Sequence, residues 1–261
     1  MVAFAKFDKD SIFSAVRQMY TDVARHPDKE FHFPTGRAAC RYVGYPKDQI
    51  DAVPQEAVES FAGVGYPFAV GAIKPGDAVL DVGSGSGTDA LIAALLTGQR
   101  GRVWGIDMTD AMLRKARSNA LRMEVSHVTF KKGNAEKIPF PDASVDVVTS
   151  NGVLNLVPDK EEAFREIARV LRPGGKIQIA DIVLGKPISA TSRRNPKLWA
   201  ECIVGAVLEE EYLAMLRSAG FENAKAVHRL DYFSQSGSVD TREAAESFGA
   251  RTVILSGTKT V

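Results

Sequence analysis

The 261 residues are enough for one α/β domain with a sizeable core and an added cap, and a second full domain is not expected at that length. Thirty-three basic residues against 32 acidic leave a formal charge of +1, and no Lys or Arg tract is long enough to follow a phosphate backbone, so nucleic acid is not an expected partner. No run approaches the ~20 apolar residues that span a bilayer, and charge interrupts the apolar residues of MVAFAKFDKDSIFSAVRQMY, unlike the core of a secretory leader; the expectation is a cytoplasmic protein with no membrane association.

Residues 9–27 read as a helix with Phe13, Val16, Met19 and Val23 near one face. FHFPTGRAAC, with Pro34 and Gly36, reads as a shaped loop, and residues 46–61 as short helices. Residues 1–70 are therefore expected to form an N-terminal helical cap or lid, and residues 71–261 the main domain.

The main domain opens with DAVLDVGSGSGTDALIAALL, a short apolar strand, a glycine-rich turn and a helical pattern. RVWGID gives a second strand ending in Asp107, followed by the helix DAMLRKARSNALRM. HVTFK and SVDVVTSN give the third and fourth strands, EEAFREIARVL a helix and GKIQIADIVL the fifth strand. Strands alternating with helices at this spacing imply right-handed crossovers and a mainly parallel sheet. After LEEEYLAMLRSAGF, which Gly220 stops, AKAVHRLDYF and RTVILSGTKT are expected to close one edge as an antiparallel pair with no crossover helix between them.

Glycines at alternate positions in Gly83-Ser84-Gly85-Ser86-Gly87 permit costly dihedrals and close approach of a ligand to the backbone. Such a turn could hold a dinucleotide pyrophosphate, but the G-x-G-x-G spacing departs from the usual G-x-G-x-x-G. Asp81 before it suits the ammonium of an amino-acid-bearing ligand better than a pyrophosphate. Asp107 can accept the hydroxyls of a ribose, Met108 can pack on adenine, and Asn134 with the Ala135 backbone can address the adenine edge. Ser150 and Asn151 bring polar groups to the fourth strand end. Asp110 is expected to cap the following helix. If the acceptor needs a base, His32 in FHFPTGR is the first candidate; Arg37 is either an anion contact or half of a salt bridge, and Trp199 either a pocket wall or a core aromatic. No metal-ligand set is assigned.

VLDVGSGSGTD, GIDMTDAMLRKAR and the block from Lys131 to Val183 resemble the class I methyltransferases, and PKLWAECIVGAVLEEEYLAMLRSAGF resembles the substrate-side segment of the arsenite methyltransferases among them. The resemblance is strongest over residues 60–221. It implies a Rossmann-like class I methyltransferase fold, with a mainly parallel seven-stranded sheet, and S-adenosyl-L-methionine as cofactor. The implied activity is methyl transfer to a small-molecule acceptor, in that family trivalent arsenic held by cysteine thiolates; sulfur suits so soft a centre.

On that resemblance Cys202 matches the family cysteine of W-x-x-C-x-x-GA, and Cys40 corresponds loosely to an N-terminal one. Val64 and Gly152 stand where relatives commonly carry cysteine. With two cysteines, three protein thiolates cannot surround one arsenic atom in one chain, and two with an external thiol are an arrangement still open. Another O, N, S or C nucleophile, a non-catalytic cofactor-binding module and a thiol-based metalloid sensor are the alternatives; the nicotinamide oxidoreductase reading is disfavoured by the glycine spacing.

Overall fold

The computed structural model describes residues 6–188 and 203–261. Four helices precede the sheet: α1 (Lys6–Arg25), α2 (Gly36–Tyr42), α3 (Lys47–Asp51) and α4 (Gln55–Val58). α1 buries Val16 and Val23, as its spacing predicts, and Ile12, which is not on the expected face, with Phe13 and Met19 only partly covered. The loop expected over 31–40 is shorter than that. α2 already starts at Gly36, whose φ of +73° and N–H bond to the Phe61 carbonyl at 2.9 Å make the glycine a helix entrance.

The main body alternates β1 (Ala78–Val82), α5 (Thr88–Thr97), β2 (Arg102–Asp107), α6 (Asp110–Arg122), β3 (Val128–Lys132), β4 (Val145–Asn151), α7 (Lys160–Val170) and β5 (Leu171–Leu184). The short β6 (Val207–Leu208) leads into α8 (Glu209–Ser218), β7 (Phe221–Leu230), α9 (Val239–Phe248) and β8 (Arg251–Lys259). Strand order is β3-β2-β1-β4-β5-β8-β7, with β6 paired to β5 off this path. The seven expected strands are joined by the two-residue β6, too short to register as a pattern.

β1 to β5 are mutually parallel, whereas β8 runs antiparallel to β5 and to β7. Helices cover both faces, which is why β1 is almost continuously apolar and why α5 is buried nearly all round. α7 is the amphipathic case: Asp159 caps it by accepting the Glu162 N–H at 3.1 Å, and Phe164, Ile167 and Val170 go inward. The helix α9 between the last two strands was not expected. It buries only Thr241 and Ala245 and relies on a Ser238 cap and a Gly249 stop, so it carries little apolar periodicity.

The chain order reverses between β1 and β4, which are adjacent in the sheet. A crevice opens beyond the carboxyl ends of strands at such a switch point, and the residues described next converge there. Among the described residues, no helix is long and apolar enough to cross a membrane.

Candidate active site

The turn after β1 is stitched to the end of β2 by its own amides. The N–H groups of Gly83 and Ser84 donate to the Ile106 carbonyl at 2.8 and 2.9 Å, and the Gly85 N–H donates to Asp107 Oδ2 at 2.9 Å. Asp107 Oδ1 accepts the Thr109 N–H at 2.7 Å, so the carboxylate is fixed in place where it lines the crevice. Gly83 has φ +77°, and a Cβ there would come within 2.2 Å of Val153 Cγ2. Gly87, at φ +95°, would press a Cβ against Phe130 at 3.0 Å. Both positions are glycine because of conformation and packing together.

The crevice encloses about 940 Å³ of non-atom space, its open mouth included. Asp81, Asp89 and Asp107 line it, and no Lys, Arg or His does so among the described residues. Asp81 is buried; its Oδ1 accepts the Thr149 hydroxyl at 2.8 Å, while its Oδ2 has no hydrogen-bond partner. Burial first and the neighbouring Asp89 second push its carboxyl well above the usual range, against the opposing pull of Thr149. Asp89 is raised to about 6 by burial, with hydrogen bonds from Tyr45 and Asn151 holding it down. Burial also raises Asp107, and the Thr109 and Gly85 amides oppose it. Removing three carboxylates from water without a protein cation beside them is costly; a positively charged ligand relieves that cost.

The other walls belong to the N-terminal helices and the loop after β4. Phe13, Val16 and Tyr20 of α1 line the crevice together with Val153, Leu156 and Val157. α1 is tied down by Lys9, whose Nζ donates to Asp159 Oδ2 at 2.9 Å. Lys115 Nζ reaches from α6 to Glu59 Oε1 at 2.6 Å and Ser60 Oγ at 2.7 Å. Ser86 and Thr88 hydroxyls both donate to the Ala57 carbonyl, at 2.8 and 2.9 Å.

Of the residues singled out by sequence, Asp81, Gly83, Gly85, Asp107 and Met108 meet in the crevice with Asn134, Ala135 and Asn151. Asn134 Oδ1 closes a local turn by accepting the Glu136 N–H at 3.0 Å. Asn151 lines the crevice, but its side-chain amide is spent on protein groups: Oδ1 accepts the Val64 N–H at 2.8 Å, and Nδ2 donates to Tyr45, Gly65 and Asp89.

Gly87 and Ser150 stand outside the lining, contrary to expectation. Gly87 packs under Phe130, and the Ser150 hydroxyl bridges strands by donating to the Val82 carbonyl at 2.9 Å. Asp110 does not cap α6: Thr109 precedes the helix, and the Asp110 carboxylate pairs with Lys132 Nζ at 2.9 Å.

The acceptor-side candidates fare less well. Cys40 is fully buried away from the crevice, and burial followed by the charge of Asp89 pushes its thiol far up, which disfavours the thiolate that binds soft ions. His32 also lies outside the lining; its ring packs edge-on to Phe33 at 4.7 Å, and its carbonyl accepts the Ser236 hydroxyl at 2.5 Å. Neither Cys40 nor His32 is placed to act on an acceptor there. Arg37 is the salt-bridge alternative, with Nη1 at 2.5 Å from Asp51 Oδ1. Cys202 and Trp199 lie outside the described residues. Val64 and Gly152 prove to be neighbours, since a Cβ on Gly152 would meet Val64 Cγ1 at 3.1 Å.

Sequence reasoning missed Asp89, Tyr45 and the α1 wall. The only local signal for Asp89 was an acid two residues beyond the glycine turn, in the first turn of a helix, where an acid is favoured anyway.

The chain matches the methyltransferase-domain family over residues 73–220. It belongs to that family, the class I S-adenosylmethionine-dependent methyltransferases. It is related to the arsenite methyltransferases: it is 41% identical over 180 residues to that of Halobacterium salinarum, a match covering 69% of this chain and 46% of that protein. The crystal structure of an arsenic(III) S-adenosylmethionine methyltransferase from Chlamydomonas reinhardtii superposes with a TM-score of 0.67 at 31% identity, covering 87% of this chain and 75% of that one. The UbiE ubiquinone/menaquinone C-methyltransferase of Azotobacter vinelandii is 31% identical, covering 67% of this chain and 75% of that protein.

The chain spans about half the length of the arsenite methyltransferases it matches, 46% and 47% in the two microbial ones. S-adenosylmethionine is the cofactor of this family, and the residues present fit it. The unpartnered Asp81 Oδ2, in a crevice lined by three carboxylates and no basic side chain, is suited to a ligand bearing an ammonium and a sulfonium. The Asp107 carboxylate, anchored by two amides, is suited to its ribose.

Proposed function

We propose that this chain transfers the methyl group of S-adenosylmethionine to a small-molecule acceptor held between α1 and the loop after β4. The observation that carries this reading is the crevice lined by Asp81, Asp89 and Asp107 without a basic side chain, which favours a cationic ligand over a pyrophosphate. Residues 1–70 act in this reading as the cap and residues 71–261 as the methyltransferase domain.

When bound, the cofactor supplies a methyl group already made electrophilic by its sulfonium. The protein's contribution is position and exclusion of water, which supply much of the rate of a two-substrate displacement. Asp107 holds the ribose, Asn134 and Ala135 flank the adenine, and Asp81 faces the ammonium. Phe13, Val16 and Tyr20, with Val153 and Leu156, keep water from the acceptor side. A soft acceptor needs no base here; an oxygen or carbon acid must bring a low pKa or find its base elsewhere than His32.

Arsenite is the acceptor favoured by the named activity of the relatives, and Cys202 is its candidate ligand. Against it stand the Val64–Gly152 contact and the burial of Cys40; these favour an acceptor not held by a thiolate cage, in line with the freedom of one fold to host several chemistries. The test is mass-spectrometric detection of S-adenosylhomocysteine and methylated arsenic from protein, S-adenosylmethionine, arsenite and excess small thiol. Both products establish the arsenic reaction, and their loss in Cys202→Ser assigns the ligand. Cofactor binding without either product turns the search to O-, N-, S- and C-acceptors; failure with all of them leaves a cofactor-binding module.

A further inference from the structure

Asp89 stands in the first turn of α5, buried and lining the crevice. Its Oδ1 accepts the Tyr45 hydroxyl, and its Oδ2 accepts Asn151 Nδ2 at 3.0 Å. Tyr45 belongs to the N-terminal segment, with its ring against Phe61 at 5.1 Å and Tyr66 at 4.8 Å between centroids. Asn151 grips the same segment through the backbone of Val64 and Gly65. One carboxylate thus joins the segment 45–68 to the helix that follows the glycine turn.

The same carboxylate is electrostatically exposed to the cofactor end of the crevice. Asp81 is its partner in repulsion, with Asp107 acting in turn on Asp81. The Tyr45 and Tyr66 phenols and the Cys40 thiol are all pushed up in part by Asp89. Arg37 lowers the Cys40 thiol in opposition to that effect and is itself engaged by Asp51.

We propose that Asp89 is a positioning residue that senses the charge of the bound cofactor and transmits it to the segment 45–68 through Tyr45 and Asn151. The ammonium beside Asp81 is common to both forms of the cofactor, whereas the sulfonium adds a positive charge only before transfer; that added charge favours the ionised form of Asp89, and a carboxylate accepts hydrogen bonds from Tyr45 and Asn151 more strongly than a carboxylic acid does. The segment is held more firmly with the sulfonium form of the cofactor than with the neutral thioether left after transfer. This rests on the crevice taking S-adenosylmethionine.

The experiment is calorimetric binding of S-adenosylmethionine and of S-adenosylhomocysteine between pH 5 and 8, with hydrogen exchange followed over residues 45–68 at about pH 6, where Asp89 changes charge. Binding of a cation to an ionised Asp89 is opposed by protons, so S-adenosylmethionine affinity should fall as pH drops through about 6, by about tenfold from pH 7 to pH 5 for one coupled proton. The fall should be smaller for S-adenosylhomocysteine, and the segment should exchange faster with it. Asp89→Asn should remove that one-proton component, leaving any contribution from Asp81. Tyr45→Phe, which deletes one oxygen and keeps the ring packing, removes a bond that favours the ionised form and should move the fall to higher pH; it carries the test if Asp89→Asn does not fold. Identical pH profiles in wild type and variants, or equal protection by the two ligands, overturn the proposal while the cofactor reading stands. No binding of S-adenosylmethionine at pH 7 overturns both.

Discussion

The side-chain amide of Asn151 pairs with the backbone of Gly65 in both directions, Nδ2 donating to the Gly65 carbonyl at 2.9 Å and Oδ1 accepting the Gly65 N–H at 3.2 Å. A strand-end residue of the parallel sheet is thereby made a clasp for the N-terminal segment. Asn151→Ala strands the Val64 and Gly65 amides as well as the Tyr45 and Asp89 acceptors. Unsatisfied buried groups cost about 1–3 kcal/mol each, and partial access to water reduces the sum, so a loss on the order of 2–4 kcal/mol is expected. A urea midpoint indistinguishable from wild type would contradict the clasp.

Asp107 should matter to affinity more than to folding. Its carboxylate is the designated ribose acceptor and also anchors Gly85 and Thr109. A hydrogen bond to a charged group contributes about 1.5–3 kcal/mol. Asp107→Ala should therefore weaken S-adenosylmethionine binding by roughly tenfold to a hundredfold, read by titration calorimetry; unchanged affinity would remove Asp107 from the ribose site.

Cys40 is expected to be chemically silent. Burial keeps it a thiol, and the thiolate is the reactive form. In a Cys202→Ser background the native protein should react with a disulfide reagent far more slowly than the denatured protein. Cys40→Ala should leave methyl transfer within about twofold while lowering stability by about 1–2 kcal/mol for the lost packing. Rapid labelling of the native protein would return Cys40 to the list of acceptor ligands.

Asp181 gives stability a pH dependence separate from catalysis. It is buried in β5, with Oδ2 accepting the Tyr212 hydroxyl at 2.9 Å, and burial raises it to about 7 although Tyr212 and Lys160 oppose the rise. Between the ordinary carboxylate value of 3.8 and about 7, the folded state holds a proton that the unfolded chain releases. The contribution of this group is therefore greatest at low pH and is lost as pH rises through about 7. Asp181→Asn, neutral at every pH, should lack that decline when urea midpoints are compared from pH 5 to pH 8. Parallel curves for the two proteins would show that Asp181 is ionised in the fold throughout.

The parts of this molecule that could be read from sequence are those specified locally. Val79 to Val82 form an apolar run broken only by Asp81 and lead into glycines, so strand, turn and helix follow in order, and Asp107 is placed by being the last residue of the next apolar run. Tyr45 and Asp89 carry no such signal. Each looks ordinary in its own window, and only the tertiary fold brings them together. α9 escaped notice because two buried residues make no stripe, and α2 because Gly36 and Pro34 look like breakers when one of them is the helix entrance. His32 is a candidate by its chemistry and Cys40 by a loose resemblance, whereas burial and orientation, which decide their use, are set by residues far away in sequence.

The placement of β8 bears on how the protein is assembled during synthesis. β8 lies between β5 and β7, so β7, made earlier, has no neighbour in the sheet until a later stretch of chain has slid into the gap. From β8 the Thr252 hydroxyl donates to the Val64 carbonyl at 2.6 Å, one residue from the clasp at Gly65. A segment that precedes the glycine motif is thus held by a strand 188 residues further along the chain, and a chain halted before Arg251 would carry the whole glycine motif without this bond. Pairings so distant along the chain form slowly, which makes the fastening of Val64 to β8 a late event of folding.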